Sequence, residues 1–241
     1  MSIVPYNTHK GKRKQTAVWK GKVLEMDKKT IVVVGAGKGM GNHIAEEFGK
    51  KDFRVVLMAR NQGTLDGYVK EFADKGIEAC GIAADAGNPD SLTKAFDEVK
   101  ARFGAVDVLA YNACILEGGK PSELSSAELM RHYQVDVASA IHCALQVIPG
   151  MKEKKSGTIL FTGGGLALYP MPEYTCVSID KAALRALATT LNTELKDEGI
   201  FTGVVTIMGN IAPGTHYDPT DISKEYWRHY TERKDVEIVF Q

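Results

Sequence analysis

The sequence lacks any apolar run approaching the ~18 residues that a membrane span needs, and it is poor in cysteine. Cys80, Cys114, Cys143 and Cys176 are scattered through 241 residues, with no C-x-x-C pair and no Cys/His cluster at zinc-ligand spacing. They read as reduced, mostly buried thiols of a cytoplasmic protein, and they argue against both a disulfide scaffold and a metal centre. An excess of charge is also missing, since 30 Lys and Arg balance 30 Asp and Glu. Bulk electrostatics therefore gives no reason to expect nucleic acid or an anionic membrane as partner. A chain of this length can bury a substantial core without staples.

Residues 1–28 differ from the rest. They carry Lys10, Lys12, Arg13, Lys14, Lys20 and Lys22, with Glu25 the only acid before Met26. The segment has no apolar core of a secretory signal and too little Arg and Ser for a transit peptide. It is expected as a basic, flexible N-terminal extension, either a mobile tail or an arm that touches a partner.

From residue 29 the pattern alternates. "TIVVVG" (30–35) is a continuous apolar run ending in glycine, as befits a strand covered on both faces. Further strands are expected at 54–59, 78–84, 106–111, 157–162 and 203–208, with "VEIVF" (236–240) as a last one. Helices are expected at 40–50, 62–75, 91–102, 126–148, 174–197 and 218–230. Strands separated by helices of ten or more residues imply βαβ units and a parallel sheet. Residues 29–241 thus form one doubly wound α/β domain of the Rossmann type, with about seven strands.

Directly after the first of these strands comes "VGAGKGMGNHIAEEF", with Gly35, Gly37, Gly39 and Gly41. A glycine turn that leaves a buried strand and opens a helix directs backbone amides and the helix N-terminus at its ligand, which suits a pyrophosphate. The spacing Gly35-x-x-x-Gly39-x-Gly41, with Lys38 and Met40 between, resembles the short-chain dehydrogenase/reductase family. Other landmarks fit that resemblance. Asp85, followed by Ala86, resembles the adenine-contacting aspartate. In "YNAC" (111–114), Asn112 and Ala113 match the family's N-N-A-G, while Tyr111 and Cys114 depart from it. The resemblance implies a sheet ordered 3-2-1-4-5-6-7, a bound dinucleotide, a small-molecule substrate, and pairing through the two long helices into a homodimer or homotetramer.

The end of the second strand bears on which dinucleotide binds. NAD-preferring members place an acid there for the ribose 2′-hydroxyl. This chain has Ala59 and Arg60, with Lys38 across the turn. A guanidinium can meet a 2′-phosphate with two parallel hydrogen bonds, so NADP(H) is expected over NAD(H).

The family's catalytic groups are a serine after the fifth strand, a tyrosine, a lysine four residues later, and an asparagine in the preceding long helix. Lys181 resembles the lysine, which in the family binds the nicotinamide ribose. Four residues earlier stands Val177 for the tyrosine, thirteen before that Gly164 for the serine, and Asp136 occupies the asparagine position. Tyr174 shares the helix face but lies roughly 10 Å along the axis from Lys181. Tyr111, Tyr169, His216 and Tyr217 fall on segments that could face the pocket, and Thr162 offers a hydroxyl two residues early. The glycines at 163–165 either present amides to a substrate oxygen or make a turn that needs positive φ. Downstream, Met208-Gly209 and Pro213-Gly214 compete for the family's Pro-Gly position over the nicotinamide. Two functions follow: an NADP(H)-dependent oxidoreductase acting on a carbonyl or alcohol through a degenerate Ser-Tyr-Lys triad, or a catalytically silent dinucleotide-binding sensor or assembly module.

Overall fold

Thr30–Val34 is buried along its whole length, so it lies inside a layered structure with both faces covered. The computed structural model describes residues 28–241, together with the backbone of 3–7, 13–19 and 22–25. In the N-terminal extension, expected as a flexible arm, strands β1 (Ile3–Asn7), β2 (Arg13–Trp19) and β3 (Lys22–Glu25) pair antiparallel in the order β1-β2-β3. Thr16 stands opposite Glu25 and Val18 opposite Val23. Lys10, Lys12 and Lys20 lie outside the described residues.

The main sheet comprises β4 (Thr30–Val34), β5 (Arg54–Ala59), β6 (Ala79–Ala83), β7 (Val108–Tyr111), β8 (Gly157–Gly164), β9 (Ile200–Ile207) and β10 (Glu237–Phe240). All pairings are parallel, in the order β10-β9-β8-β7-β4-β5-β6. This is the expected 3-2-1-4-5-6-7 arrangement. Seven helices connect the strands: α1 (Met40–Gly49), α2 (Gln62–Asp74), α3 (Pro89–Phe103), α4 (Ser126–Tyr133), α5 (Ser139–Lys154), α6 (Thr175–Leu195) and α7 (Pro219–Glu232). Residues of α3, α5 and α6 build the core on one face of the sheet, and those of α1, α2 and α7 build it on the other. Phe48 and Phe53 meet Trp227 and Tyr230 edge to face at 5.3–6.1 Å, fixing α7 on α1.

Two elements differ from expectation in ways that shape the site. The helix expected over 126–148 is interrupted by a π turn, Gln134–Ala138, where the buried Tyr111 hydroxyl donates to the Val135 carbonyl. Such single-turn bulges pull one residue out of helical register. Strand β8 runs two residues further than its β-branched stretch, through Gly163 and Gly164, because these pair with Thr206 and Ile207 of β9. None of Gly163, Gly164 and Gly165 has a positive φ, so the tight turn considered for them is not what they form.

Candidate active site

The order in which strands are added reverses at β4, whose neighbours are β5 on one side and β7 on the other. The crevice beyond their carboxyl ends is where this fold binds ligands. Gly35 (φ +88°) turns the chain there, its N–H and that of Ala36 donating to Met58 O, each at 3.0 Å. A Cβ on Gly35 would collide with the backbone of Asn112 and Ala113, and one on Gly41 with the Gly35 carbonyl. Asn112 completes the join: its N–H donates to Val34 O at 2.8 Å and its Nδ2 to Gly35 O at 2.9 Å. The glycine turn and the end of β7 are thus one unit.

Gly37 and Gly39 have open space where a Cβ would stand. Gly39 begins α1, which has no side-chain cap and no acid in its first turn. Asn61, Asn88, Ser125 and Asp218 cap α2, α3, α4 and α7, while α5 and α6 share the lack of a side-chain cap. An open glycine surface over an uncapped helix N-terminus fits a pyrophosphate. Lys38 and Arg60 are both exposed at this edge, beside the half-buried Ala59. Asp85 is exposed after β6 with Ala86 next to it, its Oδ1 accepting from Gly87 N at 2.9 Å.

The opposite half of the crevice lies over β8. Lys181, 6% exposed, donates from Nζ to Thr162 O at 2.9 Å. Its stem runs past Gly164, where an added Cβ would sit in ordinary contact, 3.7–3.9 Å from Lys181 Cγ, Cδ and Cε. Gly163 and Gly165 are tighter, with Val204 Cγ2 at 2.7 Å and Met208 Sδ at 3.2 Å from their Cβ positions. Of the three glycines, only Gly164 has room for a side chain.

The Thr162 hydroxyl is committed elsewhere, to Asn112 Oδ1 at 2.9 Å and the Tyr226 hydroxyl at 2.7 Å. It holds the floor of the site together and is not free to meet a substrate. Burial pushes the Tyr226 and Tyr111 phenols up, and their hydroxyls are engaged with Thr162 and the Val135 carbonyl. Val177 is packed at 2% exposure, and Tyr174 sits half exposed at the start of α6. Tyr169 is exposed, while Tyr217 and His216 pack with Phe240, and the Tyr217 ring fills the place a Gly209 side chain would need. Gly214 (φ +73°) donates to Asp218 Oδ2 at 2.7 Å, which ties the loop after β9 to α7.

Asp136 occupies the π turn, fully buried. Its Oδ1 accepts from Ile115 N at 2.9 Å and its Oδ2 has no hydrogen-bond partner among the described residues. Burial raises its carboxyl, with Cys114 and the Lys181 charge opposing. Cys114 stands near both Asp136 and Lys181, its thiol pushed up to about 12 by burial. Asp180, outside the family motif, is also fully buried, with no hydrogen-bond partner for either oxygen among the described residues. It had a visible signal, a carboxylate on the stripe Val177, Asp180, Leu184, Ala188, Leu191 that α6 buries. Tyr226 had a similar one, on the Ile222–Tyr226 stripe of α7. No group of three or more metal-ligating side chains occurs, and no helix is long and apolar enough to cross a membrane, among the described residues.

A doubly wound parallel sheet with a glycine turn at its switch point and a buried lysine over β8 defines a Rossmann-type α/β fold. The family model described as short chain dehydrogenase matches residues 29–230, and the chain belongs to that family. Its relatives include the versicolorin reductase of Emericella nidulans, 28% identical over 182 residues (75% of this chain, 68% of the relative). A 3-oxoacyl-acyl-carrier-protein reductase of Staphylococcus epidermidis is 26% identical over 178 residues, covering 73% of each chain. Among solved structures, an actinorhodin polyketide ketoreductase with NADPH superposes with TM-score 0.82 at 20% identity, over 89% of this chain and 97% of the other. A metagenomic short-chain oxidoreductase in complex with NADP has TM-score 0.78 and 25% identity, over 88% and 96%.

Proposed function

We propose that this protein is an NADP(H)-dependent oxidoreductase that interconverts a small carbonyl compound and its alcohol, using a site built around Lys181 without the family's serine and tyrosine. The observation that carries the reading is the pairing of an acid-free β5 end, Ala59-Arg60, with Lys38 on the glycine turn beside it. Relatives of known structure that hold NADP or NADPH support the same direction.

Backbone amides of Gly35, Gly37, Gly39, Met40 and Gly41 would hold the pyrophosphate, Lys38 and Arg60 the 2′-phosphate, and Asp85 and Ala86 the adenine. Asn112 and Ala113 would bound the ribose, with Lys181 binding its hydroxyls. The cofactor, when bound, supplies hydride. The chain's own part is to orient the carbonyl above Gly164, offer Lys181 as the nearby positive charge, and return a proton. The homo-oligomer is proposed through α4, α5 and α6, and the compartment as the cytoplasm.

Calorimetric titration with NADPH and NADH tests the cofactor assignment. NADPH is expected to bind more tightly, and Arg60→Glu to reverse the order; tighter NADH binding by the unmodified protein overturns it. One feature favours the silent module instead, namely that Val177 leaves no phenol beside Lys181. Saturable NADPH oxidation with any member of an aldehyde, ketone and quinone panel removes that alternative, and no turnover across the panel would establish it.

A further inference from the structure

Eleven large apolar side chains are exposed among the described residues, and five of them belong to three loops at the carboxyl end of the sheet. Leu116 follows β7, Tyr169, Met171 and Tyr174 lie between β8 and α6, and Ile211 follows β9. These loops join one another. Gly119 N donates to Glu173 O at 2.7 Å and Thr175 N to Gly119 O at 3.3 Å, pairing the first loop with the second beside Tyr174. The second meets the third where a Gly165 Cβ would stand 3.2 Å from Met208 Sδ. Since β8 lies between β7 and β9, the three loops flank the strand end where Gly164 meets the Lys181 stem.

The same loops are short of charge. Residues 112–116, 163–172 and 208–216 contain no Asp, Glu, Lys or Arg. Of the charges that border them, Glu117 pairs with Arg131 and Lys120 with Glu123. A carboxylate or phosphate on the substrate would meet no guanidinium or ammonium on these segments, and burying it unpaired is costly. An apolar body is driven onto Leu, Tyr, Met and Ile surface by the area both remove from water. The apolar rim is also fixed in advance. Leu168 N and Tyr169 N both donate to Gly165 O at 2.9 Å, Met171 N donates to Ser178 Oγ at 3.3 Å, and Thr175 Oγ1 donates to Pro172 O at 2.9 Å. Pro170 and Pro172 restrict φ between these anchors, so little ordering opposes binding. Position decides the occupant, because these five side chains adjoin the strand end over which the carbonyl is oriented.

We propose that the substrate is an uncharged carbonyl compound with an extended apolar body, its carbonyl over Gly164 and its body along Leu116, Tyr169, Met171, Tyr174 and Ile211. The inference rests on the oxidoreductase reading above and narrows it to one substrate class. These five residues set specificity through apolar contact, and the uncharged loops turn away organic acids and phosphorylated carbonyls. Each methylene covered by the rim raises affinity by about three- to fourfold.

The test begins with calorimetry in the presence of NADP⁺, using 2-alkanones from 2-butanone to 2-decanone, which the oxidised cofactor cannot reduce. Kd is expected to fall by about three- to fourfold per methylene. The charged counterpart of 2-decanone, 9-oxodecanoate, is expected to bind at least about tenfold more weakly. Tyr169→Ser and Ile211→Ser are expected to flatten the series and leave the Kd of NADPH unmoved. A flat series in the wild type, or equal binding of 9-oxodecanoate, overturns the assignment. A series unchanged in both variants overturns it too, and a shift of their sedimentation toward the monomer would then give the rim to a second copy of this chain. NADPH oxidation with the same ketones separates this inference from the reading beneath it. A kcat/KM that rises along the series supports both. Turnover of 2-butanone with no gain toward 2-decanone overturns the apolar body and keeps the oxidoreductase. Graded binding with no turnover of any ketone sinks the oxidoreductase reading and leaves the apolar site standing.

Discussion

Asp180 carries a stability cost that varies with pH. Its carboxyl is raised from 3.8 to about 7 in the folded protein, so between those values the native state binds the proton that the unfolded chain has lost. Native stability from this group is therefore full below the lower value, declines as pH rises through the window, and stays reduced above it. Over about three units the decline is on the order of 4 kcal/mol at most. Asp180→Asn keeps the shape without the charge. Relative to wild type, its melting temperature is expected to gain steadily from pH 4 to 7 and then hold a constant advantage, as differential scanning calorimetry would show. A gap independent of pH would mean that Asp180 ionises freely in the native state.

At the scale of elements, the strand end that carries Gly164 and the helix that carries Val177 and Lys181 form a fixed frame. The Gly164 side-chain position is open toward the Lys181 stem, so Gly164→Ser introduces a hydroxyl without displacing backbone. Val177 is buried, so Val177→Tyr has to push its ring toward the crevice or unpack α6. The double variant is expected to raise NADPH oxidation by at least about tenfold if the rings settle as in the family; a folded double variant, by circular dichroism, without gain would show that the frame serves different chemistry.

Most of this frame was legible in the sequence, because buried parallel strands are written as continuous apolar runs and the glycine turn has fixed chemistry. The remainder was hidden for definite reasons. Gly163 and Gly164 extend β8 through pairing with β9, which a β-branched pattern cannot register. The π turn depends on Tyr111 reaching Val135 across the fold. Asp180 sits where patterning expects an apolar residue, so counting only to the family's motif passed over it.

For the whole molecule, exposed apolar side chains fall along the two long helical segments. Met130, Ile141, Leu145 and Ile179 are 40–62% exposed on α4, α5 and α6. An oligomer formed through these helices would bury them. Leu145→Asp is expected to shift sedimentation toward the monomer while leaving the circular dichroism spectrum unchanged; an unaltered assembly would place the interface elsewhere.

Tyr226 gives the molecule an order of assembly. Its hydroxyl bonds Thr162, Thr162 bonds Asn112, and Asn112 bonds the Gly35 carbonyl. A ribosome delivers Gly35 early, with some 190 residues still to come before Tyr226. The glycine turn is therefore translated near the start and finished near the end, as a keystone is set after the arch. A chain that stops short of α7 lacks the Tyr226 hydroxyl that closes this series of bonds, and exposed apolar surface in such incomplete chains favours association.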